Sequence, residues 1–200
     1  MKIAVIGSGN VGGTLGRAWL RAGHEVVFGV AGGRGATDSP GIKSSAIAEA
    51  VSDADATVLA LPWSAVPQAL RAVKDWAGKI IIDCTNPIAP GFELAVGFNT
   101  SGAEKIASLA MGSAVVKAFN TTGFNNMQSP QYGGKAISML FCTDDPVARE
   151  TADRLIRDVG FEPVFVGPLK QARHLEPLAM LWITMSQQQG REFALTIVRR

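Results

Sequence analysis

The stretch Ile3-Ala4-Val5-Ile6-Gly7-Ser8-Gly9-Asn10-Val11-Gly12 decides the fold. Four apolar residues run straight into a GxGxxG turn, and Val11, Leu15, Trp19 and Ala22 then recur at helical spacing. A glycine motif alone is weak evidence, but between a strand and a helix it is informative. Gly7 allows the tight turn out of the strand, Gly9 leaves room for a pyrophosphate at the backbone, and Gly12 lets the helix lie close on the sheet. The free N–H groups and positive dipole end of that helix then face the phosphates. Gly7, Ser8, Gly9, Asn10, Val11 and Gly12 are therefore expected to hold a dinucleotide.

Outward from this turn, the same alternation continues. Gly23-His24 leads into a strand over residues 25–29, with His24 read as a turn residue at the end of the sheet away from ligands. Residues 42–51 read as a short helix and 57–61 as a strand stopped by Pro62-Trp63. Ser64 caps the next helix, with Pro67 in its first turn and Gly78 as its stop. A strand over 79–83 runs into Cys84-Thr85-Asn86-Pro87, and 88–100 read as a loop. Ser101-Gly102-Ala103-Glu104 is a capping box for a helix to about Met111. Strands over 114–119 and 136–141 flank a polar loop at 123–134. Asp145-Pro146 opens a helix that Gly160 closes, and 162–166 form a final strand.

Continuous apolar strands between helices imply a parallel sheet covered on both faces. The expected fold is α/β: a Rossmann-type, doubly wound, mainly parallel sheet over residues 1–168, with a short C-terminal helical extension over 169–200. In the extension, Glu176-Pro177 opens a helix that is apolar nearly all round, through Leu178, Met180, Leu181, Trp182 and Met185. Such a helix is buried on more than one side, so it closes the core, walls a substrate site or makes a dimer contact. Gly190 breaks it, and 191–200 read as a last short helix.

Ligands of open α/β sheets sit at the carboxyl ends of strands. Those ends carry the glycine turn, Arg34, Leu61-Pro62-Trp63, Thr85-Asn86-Pro87 and Asn120-Thr121-Thr122. The glycine turn takes the pyrophosphate, and Leu61, Pro62, Trp63, Thr85, Asn86, Pro87 and Asn120 wall the nicotinamide. An NAD-selective site usually places Asp or Glu after the second strand to bind the ribose 2′-OH. Here no acid precedes Asp38, and Arg34 is available. A guanidinium grips a 2′-phosphate that a carboxylate would repel, which favours NADP(H).

Composition narrows the remaining classes. An apolar content of 47% in 200 residues is ordinary for a globular protein. A net charge of +2 with no long basic run gives no footprint for nucleic acid. Cys84 and Cys142 stand alone, without metal-ligand spacing, and read as reduced core thiols of a cytoplasmic protein. No run reaches the roughly 18 apolar residues of a membrane span, and residues 1–6 already read as a strand, not a secretion signal. No metal site is expected.

Lys2–Gly12, Gly23-His24-Glu25-Val26-Val27, Leu61-Pro62-Trp63, Asp83-Cys84-Thr85-Asn86-Pro87, residues 115–121 and the run 167–176 together resemble the NADPH-dependent reductases of coenzyme F420, a 5-deazaflavin. The resemblance spans essentially the whole chain. It implies a small Rossmann domain with a short C-terminal extension, NADP on the glycine turn, and a deazaflavin stacked over the nicotinamide. The cytosolic domain of animal membrane ferric reductases, which passes electrons from NADPH to flavin, is similar. In the F420 family Ser and Arg often follow the second strand; here Val30 and Ala31 hold those places and Arg34 comes later.

Hydride transfer between two ring cofactors asks the protein for orientation and water exclusion, not for a catalytic triad. A carbonyl or imine acceptor would need a proton donor. Lys117 and His174 are the candidates for that role; Lys117 stands in an apolar strand and either snorkels out or meets a ligand. Lys117 and Asn120 are one residue closer than the Lys-x-x-x-Asn of 3-hydroxyacid dehydrogenases, and the long all-helical domain of those enzymes is missing. Three functions follow from the sequence. The first is an NADP(H)-dependent oxidoreductase, read as a homodimer, using a deazaflavin or flavin such as coenzyme F420. The second is a reductase of a small imine or carbonyl, resembling pyrroline-carboxylate reductases. The third is a non-catalytic dinucleotide sensor.

The lack of an acid after the second strand generates a first prediction. NADPH should bind more tightly than NADH in fluorescence titrations, and Arg34→Ala should narrow the gap. Equal affinities for the two in the native protein would refute this.

Overall fold

The computed structural model describes residues 1–32, 41–198 and 200. Chain order is β1 (Lys2–Ile6), α1 (Asn10–Arg21), β2 (Glu25–Val30), β3 (Lys43–Ala46), α2 (Ile47–Ser52), β4 (Ala56–Leu59), α3 (Val66–Arg71) and β5 (Ile80–Asp83). A hairpin of β6 (Ile88–Ala89) and β7 (Glu93–Leu94) follows, then α4 (Gly102–Leu109), β8 (Ala114–Lys117) and α5 (Phe124–Gln128). A second hairpin, β9 (Gln131–Tyr132) and β10 (Lys135–Ala136), precedes β11 (Ser138–Thr143), α6 (Pro146–Val159), β12 (Glu162–Phe165) and α7 (Ala172–Gln189).

Eight strands form one sheet in the order β12-β11-β8-β5-β4-β1-β2-β3. β1 sits in the middle, parallel to β2 on one side and β4 on the other. The chain leaves β1 through β2 and β3, then crosses back to β4, so the topological switch lies between β1 and β4. The single antiparallel pairing of this sheet joins β8 to β11.

The strand β1 shows why both faces must be covered. Ile3 and Val5 pack with Leu15, Trp19 and Phe28 in one apolar cluster, whereas Ala4 and Ile6 join Val51, Leu59 and Val66 in another. Alternate residues of a strand face opposite sides, so a strand whose residues 3–6 are all apolar needs helices on both. Trp19 ties the first layer together: its Nε1 donates to the Leu155 carbonyl of α6 at 2.9 Å, and its ring meets Phe119 edge-on at 5.8 Å. On α6 the anticipated signals operate as read. Asp145 Oδ1 accepts the Ala148 N–H at 2.8 Å, and Gly160 ends the helix at φ +106°.

Several local expectations change. Residues 43–46 are a strand, because β2 offers an open edge and Ser45 pairs opposite Gly29; the helix begins only at Ile47. The 88–100 loop contains the β6–β7 hairpin, and the polar 123–134 loop contains α5 and the β9–β10 hairpin. The strand expected at 136–141 runs from Ser138 to Thr143. Residues 191–198 are not a helix. They lie as an irregular strap in which Phe193 stacks on Trp182 at 5.2 Å, the Phe193 carbonyl accepts from Asn126 Nδ2 at 2.8 Å, and Thr196 Oγ1 accepts the Ser138 N–H at 3.1 Å. His24 is more than a turn residue: it is buried, and its Nε2 lies 2.8 Å from Asp158 Oδ2 on α6.

Candidate functional site

The glycine turn separates fold from ligand at single positions. A Cβ on Gly7 would lie 2.4 Å from the Ala60 carbonyl oxygen, and one on Gly12 would lie 1.9 Å from the Gly7 oxygen. Gly7 is demanded by the close approach of the segment after β4, and Gly12 by the seating of α1 on the turn. Gly9 differs, because nothing lies within 4 Å of where its Cβ would stand. Ser8, Gly9 and Asn10 are exposed, no side chain caps α1, and its first turn holds no acid. The donors of that turn are therefore left for an anion. This is the arrangement a pyrophosphate fits.

A cavity of about 530 Å³ opens beside the turn, with Ser8, Val30, Leu61, Ile47 and Gln68 in its lining. It lies where β1, β2 and β4 end, next to the switch point. Arg34 lies outside the described residues.

Farther along the sheet edge, the site is a dense polar network. Lys117 at the end of β8 pairs in register with Asp83 at the end of β5. Its Nζ donates to Asp83 Oδ2 at 2.9 Å, lies 3.1 Å from Glu176 Oε1 on α7, and donates to the Thr85 carbonyl. Asp83 Oδ1 accepts the Thr85 N–H at 2.8 Å and its hydroxyl at 2.7 Å. Glu176 accepts the first two N–H groups of α4, from Gly102 at 2.8 Å and Ala103 at 3.1 Å. All three charged side chains are fully buried. Burial alone would push the Lys117 ammonium down, but the charges and hydrogen bonds of Asp83 and Glu176 outweigh it and hold its pKa above the ordinary lysine value. Lys117 neither snorkels out nor has a donor to spare.

Next to this network, Asn86 and Asn120 exchange hydrogen bonds. Asn86 Nδ2 donates to the Asn120 carbonyl at 3.1 Å; Asn120 Nδ2 donates to Asn86 Oδ1 at 3.1 Å and to the Leu175 carbonyl at 3.0 Å. The two carbonyl acceptors fix which way each amide faces. Asn120 Oδ1 is left buried without a partner. A buried acceptor without a donor costs about 1–3 kcal/mol, which an amide N–H such as that of a nicotinamide would recover. Phe119, one residue earlier, takes φ +59°, a strained value for a bulky residue, and its ring is locked between Trp19 and Phe161.

The structure thus divides the anticipated residues into three groups. Gly7, Ser8, Gly9, Asn10 and Leu61 surround the turn and cavity, with Val11 packed behind them and Gly12 holding the helix close. Just past the ends of β5 and β8, Asn86 and Asn120 are bonded to each other, while Thr85 is bonded to Asp83 and Lys117. Trp63 and Pro87 instead converge on Gly102, at the start of α4, where a Cβ would be 3.2 and 3.4 Å from their atoms; Pro62 is exposed. His174 is exposed in the first turn of α7. The thiols are quiet: burial first, then the Asp83 charge, pushes Cys84 up, and burial pushes Cys142 up to about 12. Sequence reasoning missed Asp83 and Glu176 as partners of Lys117. The available signal was that Asp83 and Lys117 are lone charges, each ending an apolar strand.

Fold and turn define the class as a Rossmann-type α/β protein. Residues 2–87 match the family described as NADP oxidoreductase, coenzyme F420-dependent. The F420-dependent NADP reductase of Methanothermobacter marburgensis is 27% identical over 208 residues, covering 93% of this chain and 92% of that one. A crystal structure from Arthrobacter sp. FB24, described as a candidate F420-dependent NADP-reductase, superposes with a TM-score of 0.89 at 28% identity over the whole of both chains. Metalloreductase STEAP3 of Rattus norvegicus is 30% identical over 188 residues, 90% of this chain. The chain spans only 37% of that metalloreductase's length. A Reductive Aminase from Aspergillus terreus shares the fold alone, with a TM-score of 0.70 at 18% identity over 93% of this chain and 60% of that one. The resemblance to the coenzyme F420-dependent NADP oxidoreductases therefore holds in sequence and in fold.

Two predictions follow from the geometry. Gly9→Val should leave the far-UV circular dichroism unchanged and abolish NADPH binding; retained affinity would show that no phosphate approaches here. Lys117→Met strands two buried carboxylates and should destabilise the protein by about 3–5 kcal/mol in urea melts. Because the folded Lys117 pKa is raised, its contribution is fully present below the ordinary lysine value of about 10.4 and is lost only as pH rises through the folded value. Native stability should thus be insensitive to this group at neutral pH. A Lys117→Met protein as stable as the native one would refute the role assigned to the network.

Proposed function

We propose that the chain is an NADP(H)-dependent oxidoreductase that exchanges a hydride with a deazaflavin or flavin-type ring such as coenzyme F420. The observation that carries this reading is the open space over Gly9, at an uncapped helix start beside a 530 Å³ cavity. The full-length likeness to F420-dependent NADP reductases supports the choice of partner.

In this reading, the N–H groups at the start of α1 hold the pyrophosphate, with Ser8 and Asn10 beside them, and Arg34 grips the 2′-phosphate. Leu61, Pro62 and Trp63 flank the ribose and ring, while Thr85, Asn86, Pro87 and Asn120 set the nicotinamide wall, Trp63 and Pro87 from their seats on α4. A bound NADPH supplies the hydride from its nicotinamide ring. The protein's part is orientation and exclusion of water, for which the interlocked Asn86–Asn120 pair and the anchored α7 provide a rigid wall. Residues 169–200 act as an extension that closes the core and borders the acceptor. The exposed Leu181 of α7 supports a homodimer contact along that helix. Among the described residues no helix is long and apolar enough to cross a membrane. The unpaired, buried Cys84 and Cys142 support a cytoplasmic setting.

Lys117 is saturated, so His174 is the remaining candidate proton donor. Single-turnover rates from NADPH to F420, FMN and FAD separate the possibilities. Transfer to at least one ring acceptor is expected, and it should survive His174→Gln. If the native protein instead reduces only imines or carbonyls, and His174→Gln slows the chemical step by about 10²–10⁴-fold, the proposal is overturned.

A further inference from the structure

We infer that Gln68 is the residue that reads the adenine base, making the cavity beside the glycine turn an adenine-selective subsite. The inference rests on the proposed binding of NADP(H) and goes beyond it, to the recognition of one end of the cofactor. With the pyrophosphate on the turn, the nucleoside at the β2 side of the switch point is the adenosine half. That half meets the 530 Å³ cavity.

The lining of this cavity is chemically one-sided. Val30 and Ala31 come from the end of β2, Ile47 from α2, Leu61 from the segment after β4, and Ala69 and Ala72 from α3 and its end. Among the described lining residues, Ser8 and Gln68 carry the polar side chains. Ser8 belongs to the phosphate turn. Gln68 comes from α3, so the two polar groups enter an otherwise apolar lining from different elements. Small and branched apolar residues present flat surface to a planar base, and a pocket of this size and composition is typical of small-molecule sites.

Gln68 is exposed, and its carboxamide makes no hydrogen bond among the described residues. Its polar end is thus uncommitted at the edge of the cavity. A carboxamide offers one donor face and one acceptor, and adenine presents the complement: the N6 amino group as donor, with N1 or N7 as acceptor. The pairing needs no charge, which suits a neutral base between apolar walls. An apolar residue at this position would hold the ring but could not distinguish its edge.

The test uses NADP⁺ and 1,N6-etheno-NADP⁺, whose extra ring removes the N6 donor and N1 acceptor while keeping the phosphates. The native protein should bind NADP⁺ at least about fivefold more tightly, the low end of what one paired contact gives. Gln68→Leu should weaken NADP⁺ by a similar factor and leave etheno-NADP⁺ unchanged. Because Gln68 is exposed, the variant should keep the native circular dichroism and melting temperature. Equal losses for both ligands, or no loss for either, overturn the adenine assignment while leaving cofactor binding intact. Failure of the native protein to bind either nucleotide overturns the proposed function and this inference together.

Discussion

The buried ion network of Asp83, Lys117 and Glu176 is the constraint on which the rest of the site depends. It joins four elements that the chain visits far apart: β5, β8, the start of α4 and α7. Taking three charges out of water costs several kcal/mol for each, and the cost is offset only when every donor and acceptor is used. Here the three protons of Lys117 go to two carboxylates and a carbonyl, and the spare lone pairs of those carboxylates take backbone N–H groups and a hydroxyl. A hydrophobic substitute could match the stability. It could not fix the same register, because only directional bonds hold Thr85 and the first turn of α4 at set positions. The network thus transmits the position of α7 to the strand ends where a ligand would sit.

The sheet edge is consequently divided into two chemically unlike halves. On the β2 side the surface is open and apolar, with free donors at the start of α1. On the β5 and β8 side nearly every polar atom is engaged, and Asn120 Oδ1 is left over. The strained backbone at Phe119 belongs to this second half. Its ring is committed to the core with Trp19, its N–H points to Met139, and Asn120 is turned toward Asn86 and Leu175. An open half suits capture of the nucleotide end of a cofactor, and a rigid half suits alignment of a reacting ring. Orientation counts for more there than affinity, since small displacements of reacting atoms are costly in rate.

Local physics explains how much of this could be read from the chain. The β1–turn–α1 unit is fully legible, because strand, glycines and helix are contiguous and the spacing of the glycines announces the turn, although the group that Gly7 must clear, the Ala60 carbonyl, is distant in sequence. The caps of α4 and α6 were legible for the same reason. Residues 43–46 were not: Lys43, Ser44 and Ser45 have no strong periodicity, and the pairing with β2 decides their state. The hairpins inside the two loops and the strap at 191–198 are likewise set by partners distant in sequence, such as Asn126 and Trp182. His24 reads as a turn residue until α6 brings Asp158 to it. Gln68 gave no signal at all in sequence, since an exposed glutamine on a helix is ordinary until a cavity is found against it.

The fate of Lys117 bears on the chemistry the site can perform. A lysine in an apolar strand invites a catalytic reading, because desolvation can bring its pKa near neutrality. Two carboxylates and a carbonyl reverse that effect and keep the proton in place. The group that looks most reactive in sequence therefore holds its proton more firmly than a free lysine does. What remains around the strand ends are amides and hydroxyls of Thr85, Asn86 and Asn120, which orient partners without titrating near neutral pH. A site so equipped is poorly matched to a carbonyl or imine, whose reduction needs a proton delivered with the hydride. It is well matched to an acceptor ring that carries its own electronic capacity and needs only to be held flat and dry against the nicotinamide.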